Sequence, residues 1–167
     1  KRADRFRFSK DLKRYVIGKL LTRKIISQKF LIKPQDIVLG IDKFERPYLD
    51  YPRKNDFDFN LSHSGDFVVL AVSDQAVGVD IEKIKPIDLS VSEECFHKNE
   101  IQYLHADQEN QLERFYRIWT LKEAFIKNMG KGLSFPLKSF FFHFNDPEKP
   151  QLNLAAARGV KASYRFQ

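Results

Sequence analysis

The stretch AVGVDIEKIKP, residues 76–86, sets two carboxylates, Asp80 and Glu82, two positions apart in a β-branched run. Side chains at i and i+2 of an extended chain share one face. Two carboxylates there repel unless a cation lies between them. A lysine would serve, although Lys83 faces away; Mg²⁺, which takes hard oxygen ligands and keeps several waters, would also serve. Alone, this D-x-E is a weak signal and reads first as the polar side of a solvated strand edge. A second stretch, FYRIWTLKEAFIK, carries Glu123 and Lys127 at i, i+4, one face of a helix. Taken by themselves these two are an ordinary exposed ion pair, but their stripe also holds Phe115 and Trp119, which call for burial. A third carboxylate from such a helix, beside two from a strand, makes a cup for Mg²⁺. A lysine one turn on would hold a phosphate or protonate a leaving group.

The stretch FNLSHSG offers Ser62 and His63 at an expected hairpin turn. A hydroxyl, an imidazole and free backbone N–H groups there would hold a phosphate; good turn formers also stand there for the turn alone. Neighbouring residues of a strand point to opposite faces, which argues against a Ser-His hydrolase. Arg46, in ERPYL, is basic beside a proline-stiffened turn. Arg2, Arg5, Arg7, Lys10, Lys13 and Arg14 give the start of the chain a basic surface, fit for phosphates or simply a soluble helix face.

The elements that must position these groups follow from periodicity. DLKRYVIGKLLTRKII has apolar residues at Val16, Ile17, Leu20, Leu21 and Ile25, which predicts an amphipathic helix. Pro34 and Pro47 punctuate short extended pieces after it. FDFNLSHSGDFVVLAVSD predicts a hairpin with arms near 57–61 and 67–72 and SHSGD as the turn region. AVGVDIEKI predicts a further strand. A polar, mobile segment follows, then a helix from about Lys98 and a turn near Asp107. QLERFYRIWTLKEAFIKNMG predicts a long helix closed by Gly130 and Gly132. LKSFFFHF, QLNLAAA and VKASYRF predict strands of a terminal meander. The fold class is α+β. Helix, connector and strands recur in order, so two similar halves are expected, with AVGVDIE at the seam.

Bulk composition narrows the partners. The 167 residues include 16 Phe, one Cys and four His, with 43% hydrophobic residues and a formal net charge of +7. That length and apolar content support a packed core. A single cysteine, Cys95, excludes an internal disulfide framework and a multi-cysteine metal site. The basic excess suits an anionic partner: nucleic acid, a phosphorylated small molecule, an acidic protein or a membrane surface. No apolar run reaches the ~20 residues of a membrane span, and no signal-peptide pattern opens the chain, so a cytoplasmic protein is expected. The absence of an initial Met suggests a trimmed chain.

Taken together, the motifs resemble those of the 4′-phosphopantetheinyl transferases of the surfactin-synthetase-activator type, over nearly the whole chain. VGVDIEKIKP is similar to that family's G-[IV]-D-x-E signature, and WTLKEAFIKNMGKGLS to its W-x-x-K-E-[AS]-x-x-K signature followed by G-x-G-L. ERPYL and FNLSHSG match its two N-terminal motifs in order. The resemblance implies two similar α/β halves, 1–75 and 76–167, related by a pseudo-twofold axis, with coenzyme A in the cleft between them. It implies transfer of the phosphopantetheine arm of coenzyme A to a serine of an acyl or peptidyl carrier protein, leaving adenosine 3′,5′-bisphosphate. Asp80, Glu82 and Glu123 would hold Mg²⁺, or Mn²⁺, against the pyrophosphate. Glu123 would be the base, directly or through water. Lys127 would stabilise phosphate charge or protonate the leaving group, and Lys122 would lie near the phosphates. Ser62 and His63 would hold the 3′-phosphate with Arg46 nearby, and Arg2 and Arg14 would contact the coenzyme.

Arg46 stands where a lysine is common, and Tyr15 where a smaller polar residue can contact the coenzyme. The segment around Ile87, Leu89 and Phe96 would greet the carrier, unless those residues are plain core. A monomer with no nucleic-acid or membrane partner is expected. The rival readings are a Mg²⁺-dependent nuclease, which would bind DNA or RNA in a salt-sensitive way, and a catalytically inactive carrier-binding domain.

Overall fold

The computed structural model describes residues 9–130, 132, 135–146, 149–154 and 166. Its order is helix α1 (Ser9–Phe30), hairpin β1 (Val38–Ile41) and β2 (Pro47–Tyr51), and hairpin β3 (Asp58–Ser64) and β4 (Phe67–Ser73). Short helix α2 (Ser92–Cys95), α3 (Lys98–His105) and α4 (Gln111–Met129) follow, then hairpin β5 (Phe141–His143) and β6 (Gln151–Asn153). All three hairpins are antiparallel. The α+β expectation holds. The strand expected over VKASYRF lies outside the described residues apart from Phe166; of QLNLAAA, residues 151–154 are described and Gln151–Asn153 form a strand. Among the described residues no helix is long and apolar enough to cross a membrane.

Two expectations about the centre of the chain need correcting. Arm β3 runs to Ser64 and β4 starts at Phe67, so Ser62 and His63 are paired strand residues and the turn is confined to Gly65 and Asp66. Gly65 has φ +59°, which lets so short a turn close. The strand expected over AVGVDIEKI does not form, because the segment takes no backbone ladder. Its N–H groups instead find side chains of β3. Asp58 accepts from Val77 at 2.8 Å, Asn60 from Val79 at 2.9 Å, Ser62 from Ile81 at 3.4 Å and Ser64 from Lys83 at 2.9 Å. The even-numbered residues of β3 share one face, so the segment lies over that face and not along the strand's edge.

The other face of β3 belongs to α1. Phe59 is buried with Ile26 and Ile37, and a Cβ on Gly18 would lie 3.6 Å from Leu61 and 3.8 Å from Val68. The buried line of α1 is therefore Gly18, Thr22 and Ile26, whereas Val16, Ile17 and Leu20 of the expected apolar stripe are exposed. Thr22 satisfies its hydroxyl by donating to the Gly18 carbonyl at 2.8 Å.

Helix α4 serves two further cores. Phe115, Tyr116 and Ile118 pack with Phe96 and Leu104; Phe125 and Ile126 pack with Phe140 and Phe142. Phe96 is thus 1% exposed and belongs to the core, not to a docking surface; Leu89 packs against the same cluster, and Ile87 stays exposed. Between the two cores the Lys122 ammonium donates to Glu100 at 2.6 Å and to the Phe140 carbonyl at 2.9 Å, with both charged side chains fully buried. Glu100 also accepts from the backbone N–H groups of His97, where it completes the cap of α3, and of Phe142. Burial drives the Glu100 carboxyl up and the Lys122 ammonium down; their mutual attraction and the two N–H donors oppose this.

Removing one partner of such a pair leaves an uncompensated buried charge. Glu100→Ala should lower unfolding free energy by about 3–5 kcal/mol, read from urea unfolding with an unchanged slope. A loss under about 1 kcal/mol, the range of exposed pairs, would show that the pair does not tie α3 to α4 and β5.

Candidate functional site

Glycine 78 sets how closely the 77–83 segment approaches α4. A Cβ at that position would fall 2.0 Å from the Ala124 carbonyl oxygen and 2.5 Å from the Asn128 nitrogen. Real side chains cannot occupy that space, so the segment lies directly on the helix. Asn128 donates to the Ala76 carbonyl at 2.7 Å, and the Tyr116 hydroxyl to that of Lys85 at 3.2 Å. Contact with α4 on one side and the rungs from β3 on the other bring Asp80 and Glu82 beside Glu123 and Lys127.

The Lys127 ammonium donates to Asp80 at 2.5 Å, to the Ser62 hydroxyl at 3.0 Å and to the Val79 carbonyl at 3.2 Å. The Asp80 carboxylate is 4% exposed, against 27% for the Lys127 side chain. Ser62 donates to the same Asp80 oxygen at 2.8 Å, and Ser64 donates to Glu82 at 2.8 Å. The other Asp80 oxygen, Oδ2, and Glu123 Oε1 are buried without a hydrogen-bond partner. Burial pushes the Glu123 carboxyl up, the charges of Asp80 and Glu82 add to this, and Lys127 opposes it. Unpartnered carboxylate oxygens on neighbouring elements are hard donors of the kind a divalent cation takes. Among the described residues no three His, Cys, Asp or Glu side chains are gathered closely enough to form a metal-holding group.

The remaining expected residues divide. His63 is exposed on the α1 face of β3, opposite Val68. Gly18 packs near that same Val68, and Arg14 lies one turn before Gly18, so both basic residues belong to one end of the α1–β3 layer. Arg14 pairs with Asp11 at 3.2 Å. Arg46 lines a cleft, but its guanidinium is engaged within the fold. Its guanidinium donates to the carbonyls of Lys127, Asn128 (3.3 Å) and Val77 (3.0 Å) and to Asp58 (2.5 Å). It caps the last turn of α4 and joins β2 to both the helix and the first rung. Lys122, expected near phosphates, is buried against Glu100, because i and i+1 of a helix point about 100° apart and Glu123 holds the outward position. Arg2 lies outside the described residues.

The sequence reading passed over Asp58, Asn60 and Ser64. Their signal was the period of two in DFNLSHS, which puts them on the face of Ser62. Two clefts of about 760 and 820 Å³ adjoin the arrangement: Arg46 and Asp58 line the first and Asp80 the second, whereas Glu82, Glu123 and Lys127 line neither. The carboxylates meet along the seam between the 77–83 segment and α4.

Two consequences are measurable. Gly78→Ala must push the segment off α4, which should cost about 1–3 kcal/mol by overpacking in urea unfolding. Because the folded state raises the Glu123 carboxyl, its stabilising contribution is full below the unfolded value and is lost as pH rises through the folded value. Without added metal, Glu123→Gln should therefore melt above the parent at pH 7 to 8, with the gap closing towards pH 4. Equal melting temperatures across that range would refute strain at this carboxylate.

The sequence pattern of the 4′-phosphopantetheinyl transferase superfamily matches residues 76–167, and that of the 4′-phosphopantetheinyl transferase N-terminal region matches residues 1–75. The 4′-phosphopantetheinyl transferase psf-1 of Bacillus pumilus is 41% identical over 153 residues, which cover 91% of this chain and 65% of the relative. The 4′-phosphopantetheinyl transferase Sfp of Bacillus subtilis (strain 168) is 41% identical over 137 residues, 81% of this chain and 60% of the relative. The 4′-phosphopantetheinyl transferase gsp of Aneurinibacillus migulanus is 38% identical over 140 residues, 83% of this chain and 57% of the relative. The matched part of the chain thus spans less than two thirds of each of these curated relatives. With its carboxylate seam, its lysine and both sequence patterns, the chain belongs to the 4′-phosphopantetheinyl transferase superfamily.

Proposed function

We propose that this protein transfers the phosphopantetheine arm of coenzyme A to a serine hydroxyl of an apo carrier protein. The observation that carries the reading is the pair of unpartnered carboxylate oxygens, Asp80 Oδ2 and Glu123 Oε1, beside the Lys127 ammonium in a chain of this family. Asp80, Glu82 and Glu123 would hold Mg²⁺. When bound, the ion supplies neutralisation of charge on the pyrophosphate of coenzyme A.

The residues of the chain have separate tasks. Glu123, its carboxyl raised by burial and by its neighbours, takes the proton from the incoming serine, directly or through a water. The serine oxygen bonds to the phosphorus that carries the pantetheine arm. The bond from that phosphorus to the bridging oxygen breaks, and adenosine 3′,5′-bisphosphate leaves. Lys127 stabilises the charge that develops on the phosphoryl oxygens or protonates the leaving oxygen. Ser62 fixes Asp80 and Lys127 relative to each other. His63 receives the 3′-phosphate, and Arg14, at the same end of the α1–β3 layer, contacts the coenzyme. The coenzyme lies between two halves, 1–75 and 76–167, related by a pseudo-twofold axis, and the net charge of +7 draws an acidic carrier.

The test is the intact mass of an apo carrier protein after incubation with this protein, coenzyme A and Mg²⁺. A gain of one phosphopantetheine arm is expected, and it should vanish with EDTA. Lys127→Ala should slow transfer by about 10²-fold or more, the usual range for a general acid–base group, and Glu123→Gln by at least as much. Transfer that survives EDTA, or that either variant leaves at the parental rate, would overturn the assignment of the seam.

A further inference from the structure

Four residues of β3 make the same contact with the 77–83 segment, at a constant separation of nineteen residues. Their chemistry changes halfway along. The first two, Asp58 and Asn60, use a carbonyl-type oxygen and only accept. The last two, Ser62 and Ser64, use a hydroxyl, which accepts and donates at once. The change falls where the opposing segment changes. Ala76 and Gly78, which precede the first two N–H groups, have no carboxylate. Asp80 and Glu82, which precede the last two, have one each. An Asp at 62 or 64 could receive the N–H, but its carboxylate would repel the one opposite.

Ser62 has several tasks, since Lys127 also bonds it. Ser64 has two partners, the Lys83 N–H at 2.9 Å and Glu82 Oε2 at 2.8 Å. Glu82 is half-buried and reaches out on a longer, more freely rotating side chain than Asp80. The Ser64 hydroxyl fixes one oxygen of that carboxylate. We propose that Ser64 is a positioning residue: it orients the Glu82 carboxylate for a divalent cation and so sets the affinity of the seam for that ion. The inference rests on the reading of Glu82 as a metal-holding residue. Hydrogen bonds to a ligating carboxylate commonly govern metal affinity by one to two orders of magnitude.

The probe is Mn²⁺, titrated without coenzyme A or carrier and followed by the electron paramagnetic signal of the free ion. Ser64→Ala should weaken binding by about tenfold, and Ser64→Thr, which keeps the hydroxyl, should restore it. Glu82→Gln should weaken binding too. Adding Ser64→Ala to Glu82→Gln should weaken it no further, because the serine acts through that carboxylate. Circular dichroism melts confirm that each variant is folded at the titration temperature. Parental affinity in Ser64→Ala, failure of the threonine to rescue, or an equal further loss in the Glu82→Gln background would overturn the proposal while leaving the metal reading intact. Parental affinity in Glu82→Gln would overturn the metal reading and this inference with it.

Discussion

Like charges held close together, partly out of water, are the constraint that organises this protein. Asp80 and Glu82 each repel Glu123, and burial makes ionisation of Glu123 harder still. Such a cluster persists only if the surrounding chain has no freedom to move apart. The rungs from β3 hold the segment from one side, and Gly78 seats it on α4 from the other. The Lys127 ammonium opposes part of the repulsion at 2.5 Å from Asp80. Each device answers a different part of one electrostatic problem: direction, distance and charge.

Rigidity of α4 is the second requirement, since it supplies Glu123 and Lys127 from adjacent turns. The helix is anchored at its middle by the buried Lys122–Glu100 pair and at its end by Arg46. Phenylalanines fill the space around the first anchor: Phe96 and Phe115 on one side, Phe125, Phe140 and Phe142 on the other. The consecutive residues Lys122 and Glu123 show how one helix divides its work, with one charge turned inward to hold the fold and the next turned outward to the seam.

The sequence made part of this legible. Helix periodicity placed α1 and α4, and the i, i+4 spacing placed Glu123 and Lys127 on one face. The D-x-E spacing placed Asp80 and Glu82 together, although the strand expected beneath them does not form. That miss has a physical reason. A β-branched run signals extended chain, but not whether its N–H groups will meet backbone or side-chain acceptors. Lys122 was misplaced, and the engagement of Arg46 with Asp58 was missed, for a related reason: a basic residue in a binding motif carries no mark of whether its charge is already satisfied inside the fold. The apolar positions of α1 misled as well, since Gly18 and Thr22 form its buried line and hydropathy does not register them.

The rungs between β3 and the carboxylate segment also bear on the order in which the chain can assemble. Each rung closes a loop of nineteen residues, much of it already spanned by β4. The contacts of Lys127 with Asp80 and Ser62 close loops of 47 and 65 residues. Closure entropy grows with the logarithm of loop length, so the longer of these costs about 1 kcal/mol more than a rung. Asp80 and Glu82 are therefore the cheaper part of the seam to place during collapse. In that order helix α4 would dock on a surface that already carries negative charge, with Lys127 attracted to it and Glu123 repelled.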